Sequence, residues 1–183
     1  MHMERNNPTQ EYYNKLNGSL VIGVDFDNTC VIDEWPYVGA SVPGAAEVLK
    51  EIIKNGHELI LFTQRTANYP ECCPELAVYA DTFGYNEDGT VDLLTPALEW
   101  FEQNVGQEIF DVNKNGLWEE MCDDHGRKIF MDLLIDDHNV GMEFEEAINR
   151  FGAKCRVVDW KFVDQWLVER GVYPNRVLLN YDK

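Results

Sequence analysis

The sequence is poor in basic residues: 15 lysines and arginines stand against 33 aspartates and glutamates, which gives a formal net charge of −18 at pH 7. Nucleic-acid binding depends on lysine and arginine side chains that neutralise phosphates, and no basic stripe runs along this chain. A nucleic acid is therefore disfavoured as a partner. A small phosphate ester remains compatible with the acidic balance, because a bound metal ion would offset the charge of its phosphate.

Long hydrophobic runs are also missing. No stretch approaches the roughly 18 uncharged apolar residues of a membrane-spanning helix, so we expect no membrane association. Residues 1–17 are polar and lack the apolar core of a signal peptide. We interpret them as a flexible N-terminal arm.

Regularly spaced cysteines are absent as well. The five cysteines are an odd number without repeated intervals, which is not a disulfide framework and favours the reducing cytoplasm as the location. A zinc site at Cys72, Cys73, Cys122 and His125 is the less favoured alternative, because adjacent cysteines chelate one tetrahedral ion poorly.

The sequence does contain the alternating pattern of an α/β protein. Its 183 residues, 45% of them apolar, predict one globular domain over residues 18–183. Short continuous apolar runs, typical of strands buried on both faces, alternate with segments of helical periodicity. This alternation predicts a three-layer α/β/α, Rossmann-like domain with a mainly parallel sheet. The predicted strands are 20–24, 58–62, 109–112, 131–135 and 155–158, and the predicted helices are 43–55, a segment with Thr95 as its N-cap, 142–150 and 162–170.

Acidic and hydroxyl side chains follow three of these strands. Asp25 and Asp27 follow the first strand, Thr63 the second, and the pair Asp136-Asp137 a later one. Ligands bind beyond the carboxyl ends of parallel strands, so we expect these residues to converge there. Buried carboxylates need a partner, and clustered oxygen ligands favour a hard cation, typically Mg²⁺. One carboxylate could then attack phosphorus, while Thr63 offers its hydroxyl and backbone N–H to the phosphoryl oxygens.

These segments resemble motifs of the haloacid dehalogenase (HAD) superfamily. The stretch Val21–Thr29, VIGVDFDNT, is similar to the first motif, an apolar strand followed by D-x-D-x-T. Leu59–Thr63 is similar to the second motif and Leu133–Asp137 to the fourth, and Lys128 lies where the lysine of the third motif falls. The motifs occur in the required order over roughly residues 20–160. The stretch from Lys128 to Asp137 also resembles that of 5′(3′)-deoxyribonucleotidases in this superfamily.

The resemblance implies a HAD-like domain that cleaves phosphate esters through an aspartyl-phosphate. Asp25 would be the nucleophile and a metal ligand. Asp27 would protonate the leaving group and then activate water, while its backbone carbonyl contacts Mg²⁺. An acid at this second position is the choice of phosphatases and phosphotransferases, because the members that cleave carbon–halogen bonds lack it.

The remaining implied roles concern the phosphoryl group and the metal. Thr63 and Lys128 would bind the phosphoryl group, and one member of the pair Asp136-Asp137 would complete the metal site, with the choice between them left open. If the strand ran over 129–135, Lys128 would lie roughly 20–25 Å from Asp136, at the wrong end of the sheet. Arg65 and Arg127 are the alternative cations.

Two residues are expected at the substrate rim. Arg65 follows the second predicted strand closely. Asn28 takes a position that is most often glycine in the first HAD motif, and asparagine tolerates unusual backbone angles better than other non-glycine residues. Residues 67–92 are long for a strand-to-helix connection. They predict a small insert, which is either a substrate-selecting lid or a surface excursion.

The predicted function is Mg²⁺-dependent hydrolysis of a small phosphomonoester, either a phosphorylated metabolite or a nucleotide. A phosphotransferase using the same site and a non-catalytic binding or assembly protein that retains the pocket are the alternatives. The physiological substrate and the oligomeric state stay open at this level.

Overall fold

A four-stranded parallel sheet forms the centre of the protein. The computed structural model describes residues 8–70, 74–106, 109–122 and 128–178. The sheet consists of β1 (Val21–Val24), β2 (Glu58–Leu61), β3 (Asp111–Val112) and β4 (Leu133–Ile135), in the order β3-β2-β1-β4. The chain moves outward from β1 to β3 and then returns to the other side of β1 to form β4. The strand order therefore reverses between β1 and β4, which is where ligands bind in such sheets.

The register brings the ends of the three longer strands to one level. Val24 is paired with Leu61 of β2 on one side and with Ile135 of β4 on the other. All four residues of β1 are buried, as expected for a central strand covered on both faces. The residues that follow Val24, Leu61 and Ile135 consequently emerge together at the carboxyl edge of the sheet.

Helices cover both faces of the sheet, which confirms the predicted three-layer α/β fold. One face, with Ile22, Val24, Leu59 and Leu61, packs with the buried sides of α2 (Ala45–Lys54), α4 (Thr95–Asn104) and α6 (Trp160–Glu169). The opposite face, with Val21 and Ile60, packs with α1 (Pro8–Lys15) and α5 (Gly116–Cys122).

The N-terminal segment differs from the flexible arm predicted over residues 1–17. From residue 8 onward it forms α1, whose Tyr12 is 0% exposed. The Tyr12 hydroxyl accepts a hydrogen bond from Asn115 Nδ2 at 2.7 Å, and the Tyr13 hydroxyl donates to Asp132. The prediction was wrong for residues 8–17, because two aromatic side chains tie a short polar helix to the distant segments that contain Asn115 and Asp132. Residues 1–7 lie outside the described part of the chain.

The segment predicted as a helix at 142–150 is a strand. β5 (Phe144–Ile148) pairs antiparallel with β6 (Lys154–Val158), and the two form a separate two-stranded sheet instead of joining the parallel one. Asn149 sets the turn between them: its side-chain oxygen accepts from the N–H groups of Phe151 and Ala153, at 3.1 and 2.9 Å. Gly152 completes the turn with a φ of 79°, where glycine carries no steric cost. The hydrogen bonds of this turn favour a hairpin, although the glutamates of the segment by themselves favour a helix.

Smaller differences concern the boundaries of elements. Thr95 begins α4 but is not its N-cap; Leu94 holds that position, and the Asp92 carboxylate accepts from the N–H groups of Leu94 and Thr95, both at 2.9 Å. The other predicted strands and helices are present within about two residues of their predicted ends.

The predicted insert at residues 67–92 has its own small core. It contains α3 (Pro74–Phe83), and Tyr69 and Val91 exchange two backbone hydrogen bonds that close its base. The buried side chains of this core are Leu76, Tyr79, Ala80, Val91 and Leu93. Within the described residues, no helix is long and apolar enough to cross a membrane.

Candidate active site

A cleft of about 390 Å³ opens at the carboxyl edge of the sheet. It lies above the ends of β1, β2 and β4, where the strand order reverses, and most residues predicted for the site contribute to its wall. The lining residues are Asp25, Asp27, Asn28, Asp33, Trp35, Phe62, Thr63, Gln64, Arg65, Tyr69, Asp136, Asp137 and His138.

Asp25 is the first residue after β1. Its backbone N–H donates to the Ile135 carbonyl at 2.9 Å, which extends the β1–β4 pairing by one residue. One carboxylate oxygen accepts from the Thr29 hydroxyl at 3.1 Å. Burial raises the pKa of Asp25 to about 7, with additional raising by the carboxylates of Asp136 and Asp27 and partial opposition from hydrogen bonds to Phe26 N–H and Thr29. Asp25 therefore occupies a site where negative charge is not fully compensated by the protein.

The acid pair at the end of β4 divides into two different environments. Asp136 follows Ile135, the β4 partner of Val24, so it emerges beside Asp25 at the edge of the sheet, and its charge contributes to the raised pKa of Asp25. Asp137 is 7% exposed, and its side chain contacts His138 and Asn28. Burial raises the pKa of Asp137, and His138 and Asn28 partly oppose this effect. Asp136 is thus the member of the pair that lies level with Asp25 at the end of the neighbouring strand.

Asp27 is bound by a buried arginine. Arg65 Nε and Nη2 donate to the two carboxylate oxygens of Asp27 at 2.8 and 2.7 Å. Arg65 is 2% exposed, and it also donates to the carbonyls of Pro36 and Tyr37 at 3.0 and 2.8 Å. Bidentate pairing of this kind fixes geometry as well as charge. The guanidinium predicted at the substrate rim therefore anchors Asp27 from the cleft wall.

Asn28 adopts the left-handed conformation that its position requires. Its φ is 60°, a region in which asparagine is enriched among non-glycine residues. Its side-chain oxygen accepts from the Asp33 N–H at 3.3 Å. The tolerance for unusual backbone angles expected at this position is confirmed, and Asn28 links Asp137 with the loop that carries Asp33.

Thr63 lines the cleft, but only half of its predicted contribution is available. Its backbone N–H donates to Asn113 Oδ1 at 2.8 Å, and Asn113 Nδ2 donates back to the Thr63 carbonyl at 2.7 Å. The prediction that this N–H faces a phosphoryl group is therefore wrong. The Thr63 hydroxyl oxygen accepts from the Arg65 N–H at 3.2 Å. The hydroxyl group can rotate about its C–O bond, so its hydrogen can donate into the cleft.

Lys128 lies away from these residues. It is exposed, and it is not among the described residues that line the cleft. The chain after it returns to the amino end of the sheet, where the Asp132 carboxylate accepts from Val21 N–H at 2.8 Å, and only then rises through β4. Lys128 therefore does not contribute to the wall of the cleft, and its predicted placement at the phosphoryl group is not found in this structure. Arg127 and the residues of the zinc alternative lie outside the described part of the chain, save for the backbone of Cys122 in α5.

Five lining residues outside the insert are not among the predicted site residues: Asp33, Trp35, Phe62, Gln64 and His138. Asp33 and Trp35 lie on the connection between Asn28 and α2, and His138 follows the acid pair. The connection carries no periodic pattern, and its residues reach the cleft only because the loop folds back over Arg65. Tyr69, from the predicted insert, also lines the cleft, which brings the insert to the rim.

The donor set of the cleft fits a hard divalent cation. Carboxylate oxygens of Asp25, Asp136 and Asp137 lie at one edge of the sheet, and those of Asp136 and Asp137 lie within 4.8 Å of each other and of a ring nitrogen of His138. Burial chiefly raises the pKa of Asp25, and the carboxylates of Asp136 and Asp27 raise it further; a bound cation would offset both effects. Sparse carboxylate coordination completed by water is what Mg²⁺ prefers.

Comparison with known proteins supports the fold. No protein-family model and no curated protein matches the chain. A solved structure, described as that of a conserved protein coded by a locus of Bacteroides thetaiotaomicron, matches with a TM-score of 0.55 and 28% sequence identity. The match covers 83% of this chain and 92% of that one. That description names no reaction or ligand, so an argument about function starts from the residues of the cleft.

Proposed function

We propose that the chain is a Mg²⁺-dependent phosphohydrolase that cleaves a small phosphomonoester through a phosphorylated Asp25. The observation that carries this proposal is the meeting of Asp25 and Asp136 on adjacent strands at the point where the strand order reverses. Asp27 lies two residues further on, in the same cleft. The order of the HAD-like motifs along the sequence supports the same reaction class.

Asp25 is the nucleophile in this mechanism. A carboxylate oxygen of Asp25 attacks phosphorus, the bond between phosphorus and the leaving-group oxygen breaks, and that oxygen takes a proton from Asp27. Water then attacks phosphorus, its proton passes to Asp27, and the bond between Asp25 and phosphorus breaks to release inorganic phosphate. Only the two steps together return Asp25 to the free carboxylate and Asp27 to the protonated acid.

Arg65 has a positioning role toward Asp27. With both oxygens accepting from the guanidinium, Asp27 is held as an acceptor, the form that activates water in the second step. In the first step Asp27 carries a proton. The protonated oxygen no longer accepts from Arg65, so one of these two hydrogen bonds must break. Arg65 also supplies positive charge to the cleft, and the Thr63 hydroxyl would bind the phosphoryl group in the absence of Lys128 from the cleft wall.

Asp25 and Asp136 are the side chains that would hold Mg²⁺, together with the backbone carbonyl of Asp27. The ion would supply charge stabilisation to the phosphoryl oxygens. Asp137 is buried and contacts Asn28 and His138. Through these contacts it would hold the end of β4 in position.

Phosphate release from p-nitrophenyl phosphate and a panel of small phosphomonoesters tests the proposal. Wild type should turn over with Mg²⁺ and stop with EDTA, and Asp25→Asn should lower kcat by at least about 1,000-fold, as expected for loss of a nucleophile. Asp81→Asn removes one carboxylate from an exposed position of α3 and is the matched control, with activity at the wild-type level. Equal inactivity of wild type and Asp25→Asn across the panel with Mg²⁺ would overturn the proposal and favour the binding-protein alternative.

A further inference from the structure

One part of the cleft has no role in the mechanism above. Asp33 and Trp35 come from the connection after Asn28, and Tyr69 comes from the base of the insert; all three line the cleft beside the catalytic acids. A phosphomonoester with its phosphate at Asp25 must place its alcohol portion elsewhere in the same cleft. These three residues form the aromatic and acidic part of the wall that remains for it, beside Phe62, Gln64 and His138.

Local hydrogen bonds hold the Asp33 side chain and the backbones of Trp35 and Tyr69 in place. Asp33 Oδ1 accepts from Trp35 N–H at 3.0 Å, and the Asp33 N–H donates to Asn28. Tyr69 exchanges two backbone hydrogen bonds with Val91, at 2.9 and 2.8 Å. The Trp35 and Tyr69 rings lie edge to face, with centroids 5.8 Å apart and an interplanar angle of 65°. Two aromatic rings and a carboxylate are thus positioned before a ligand arrives.

The charge of this region is negative and uncompensated among the described residues. Arg65 is the one lysine or arginine of the described part that lines the cleft, and its donors go to Asp27 and to two carbonyls. Arg150 pairs with Glu34 at 3.0 Å and lies over the Tyr37 ring at 4.1 Å. Neither arginine pairs with Asp33.

We propose that Asp33, Trp35 and Tyr69 form a leaving-group subsite that selects phosphomonoesters whose alcohol carries an ammonium group. The proposal rests on the phosphohydrolase function proposed above. An ammonium group beside a carboxylate and over aromatic faces is stabilised by both. A neutral aromatic alcohol would use the rings but gain nothing from Asp33, and a carboxylate or second phosphate would be repelled by it.

A pair of substrates that differ only in charge tests the selection. Choline phosphate carries a trimethylammonium group, and 3,3-dimethylbutyl phosphate has the same shape with carbon in place of nitrogen. The ratio of their kcat/KM values should be about tenfold or more in favour of choline phosphate, in the range of partly desolvated cation–π and charge contacts. Asp33→Asn keeps the acceptor for Trp35 N–H and should lower this ratio to the part that the aromatic rings alone supply. Trp35→Leu should lower it as well, and Asp81→Asn should leave it unchanged.

The possible outcomes separate the two proposals. A ratio near one in wild type, with turnover of p-nitrophenyl phosphate intact, overturns the ammonium subsite and leaves the phosphohydrolase function standing. Preference for nucleoside monophosphates that does not respond to Asp33→Asn overturns it in favour of a neutral aromatic leaving group. Absence of turnover of every phosphomonoester by wild type overturns both. Thermal unfolding of each variant shows that a changed ratio is not a loss of fold.

Discussion

Two aspartates of this protein, the buried Asp164 and the half-buried Asp25, are treated in opposite ways by the chain around them. Asp164 in α6 is 0% exposed, and it accepts from the Tyr173 hydroxyl at 2.8 Å and from two backbone N–H groups at 3.0–3.1 Å, with Arg176 Nε at 3.4 Å. Asp25 receives hydrogen bonds from Thr29 and Phe26 only, among the described residues, and faces other carboxylates. Protein donors satisfy the first carboxylate, whereas no lysine or arginine of the described residues pairs with the second. Asp164 therefore stabilises the fold, whereas the surroundings of Asp25 suit the catalytic role proposed above.

Removing the satisfied carboxylate should have the largest effect on stability. Asp164→Ala leaves the Tyr173 hydroxyl, the N–H groups of Val177 and Leu178, and Arg176 without their acceptor. We expect the free energy of unfolding to fall by about 3–5 kcal/mol, the range for one partner lost from a buried charged network. Urea unfolding measures the change. Asp81→Ala, at an exposed position of α3, should stay within about 0.5 kcal/mol of wild type, and a similar small loss for Asp164→Ala would remove the contrast.

Removing the uncompensated carboxylate should change stability in the opposite direction. Without metal, Asp25→Asn should raise the free energy of unfolding by at least about 1.4 kcal/mol, the equivalent of a tenfold change in an acid dissociation constant. Because the pKa of Asp25 is about 7 in the folded protein and 3.8 ordinarily, the folded state binds a proton between these pH values that the unfolded state has released. Wild type should therefore lose stability relative to Asp25→Asn as pH rises from about 4 to 7 in EDTA.

Metal addition gives the control for this effect. Mg²⁺ should stabilise wild type at pH 7 and stabilise Asp25→Asn much less, because the ion binds the folded state through the carboxylate that the variant lacks. Unfolding curves of both proteins with EDTA and with Mg²⁺ measure the difference. Equal stabilisation of the two proteins would place the cation elsewhere.

Asp132 is a third aspartate for this comparison. It lies at the opposite end of the sheet and, like Asp164, accepts hydrogen bonds from protein donors. Its oxygens accept from the Tyr13 hydroxyl and from Val21 N–H, so Tyr13→Phe should cost about 1 kcal/mol. Burial and the Asp132 carboxylate raise the pKa of Tyr13 to about 12. The stabilisation is present below about pH 10 and is lost as pH rises through 12. Denaturation at pH 8 and at pH 11 should show the variant approaching wild type at the higher pH, and a constant gap would argue against this hydrogen bond.

The sequence predicts the elements whose residues carry a local pattern. β1 and β2 are continuous apolar runs, and because parallel strands end at one edge of a sheet, the meeting of Asp25 with Asp136 follows from the strand order. β5 has no such run: it lies in an exposed two-stranded sheet, and its glutamates favour a helix until the turn at Asn149 is considered. Arg65 pairs with Asp27 across 38 residues, a separation at which no local pattern can report the contact.

The same reasoning explains which site residues were misplaced. The position of Thr63 at the end of β2 correctly predicted that it lines the cleft. Its N–H donates to Asn113, 50 residues later, and this contact depends on how β3 ends beside β2. Motif order along the chain predicted Lys128 in the site, whereas the path of the backbone through Asp132 determines where it lies.

The smallest expected effect is therefore that of Lys128→Ala. Lys128 is exposed and does not line the cleft, so kcat/KM for the best substrate of the panel should stay within about twofold of wild type. A lysine that held the phosphoryl group would cost about 100-fold or more when removed. Arg65→Lys is the positive control: it keeps the charge but loses the bidentate geometry toward Asp27, and it should lower kcat/KM by about tenfold or more. A large loss in Lys128→Ala alongside a small one in Arg65→Lys would mean that the motif order, and not the geometry of the cleft, identifies the group that binds phosphate.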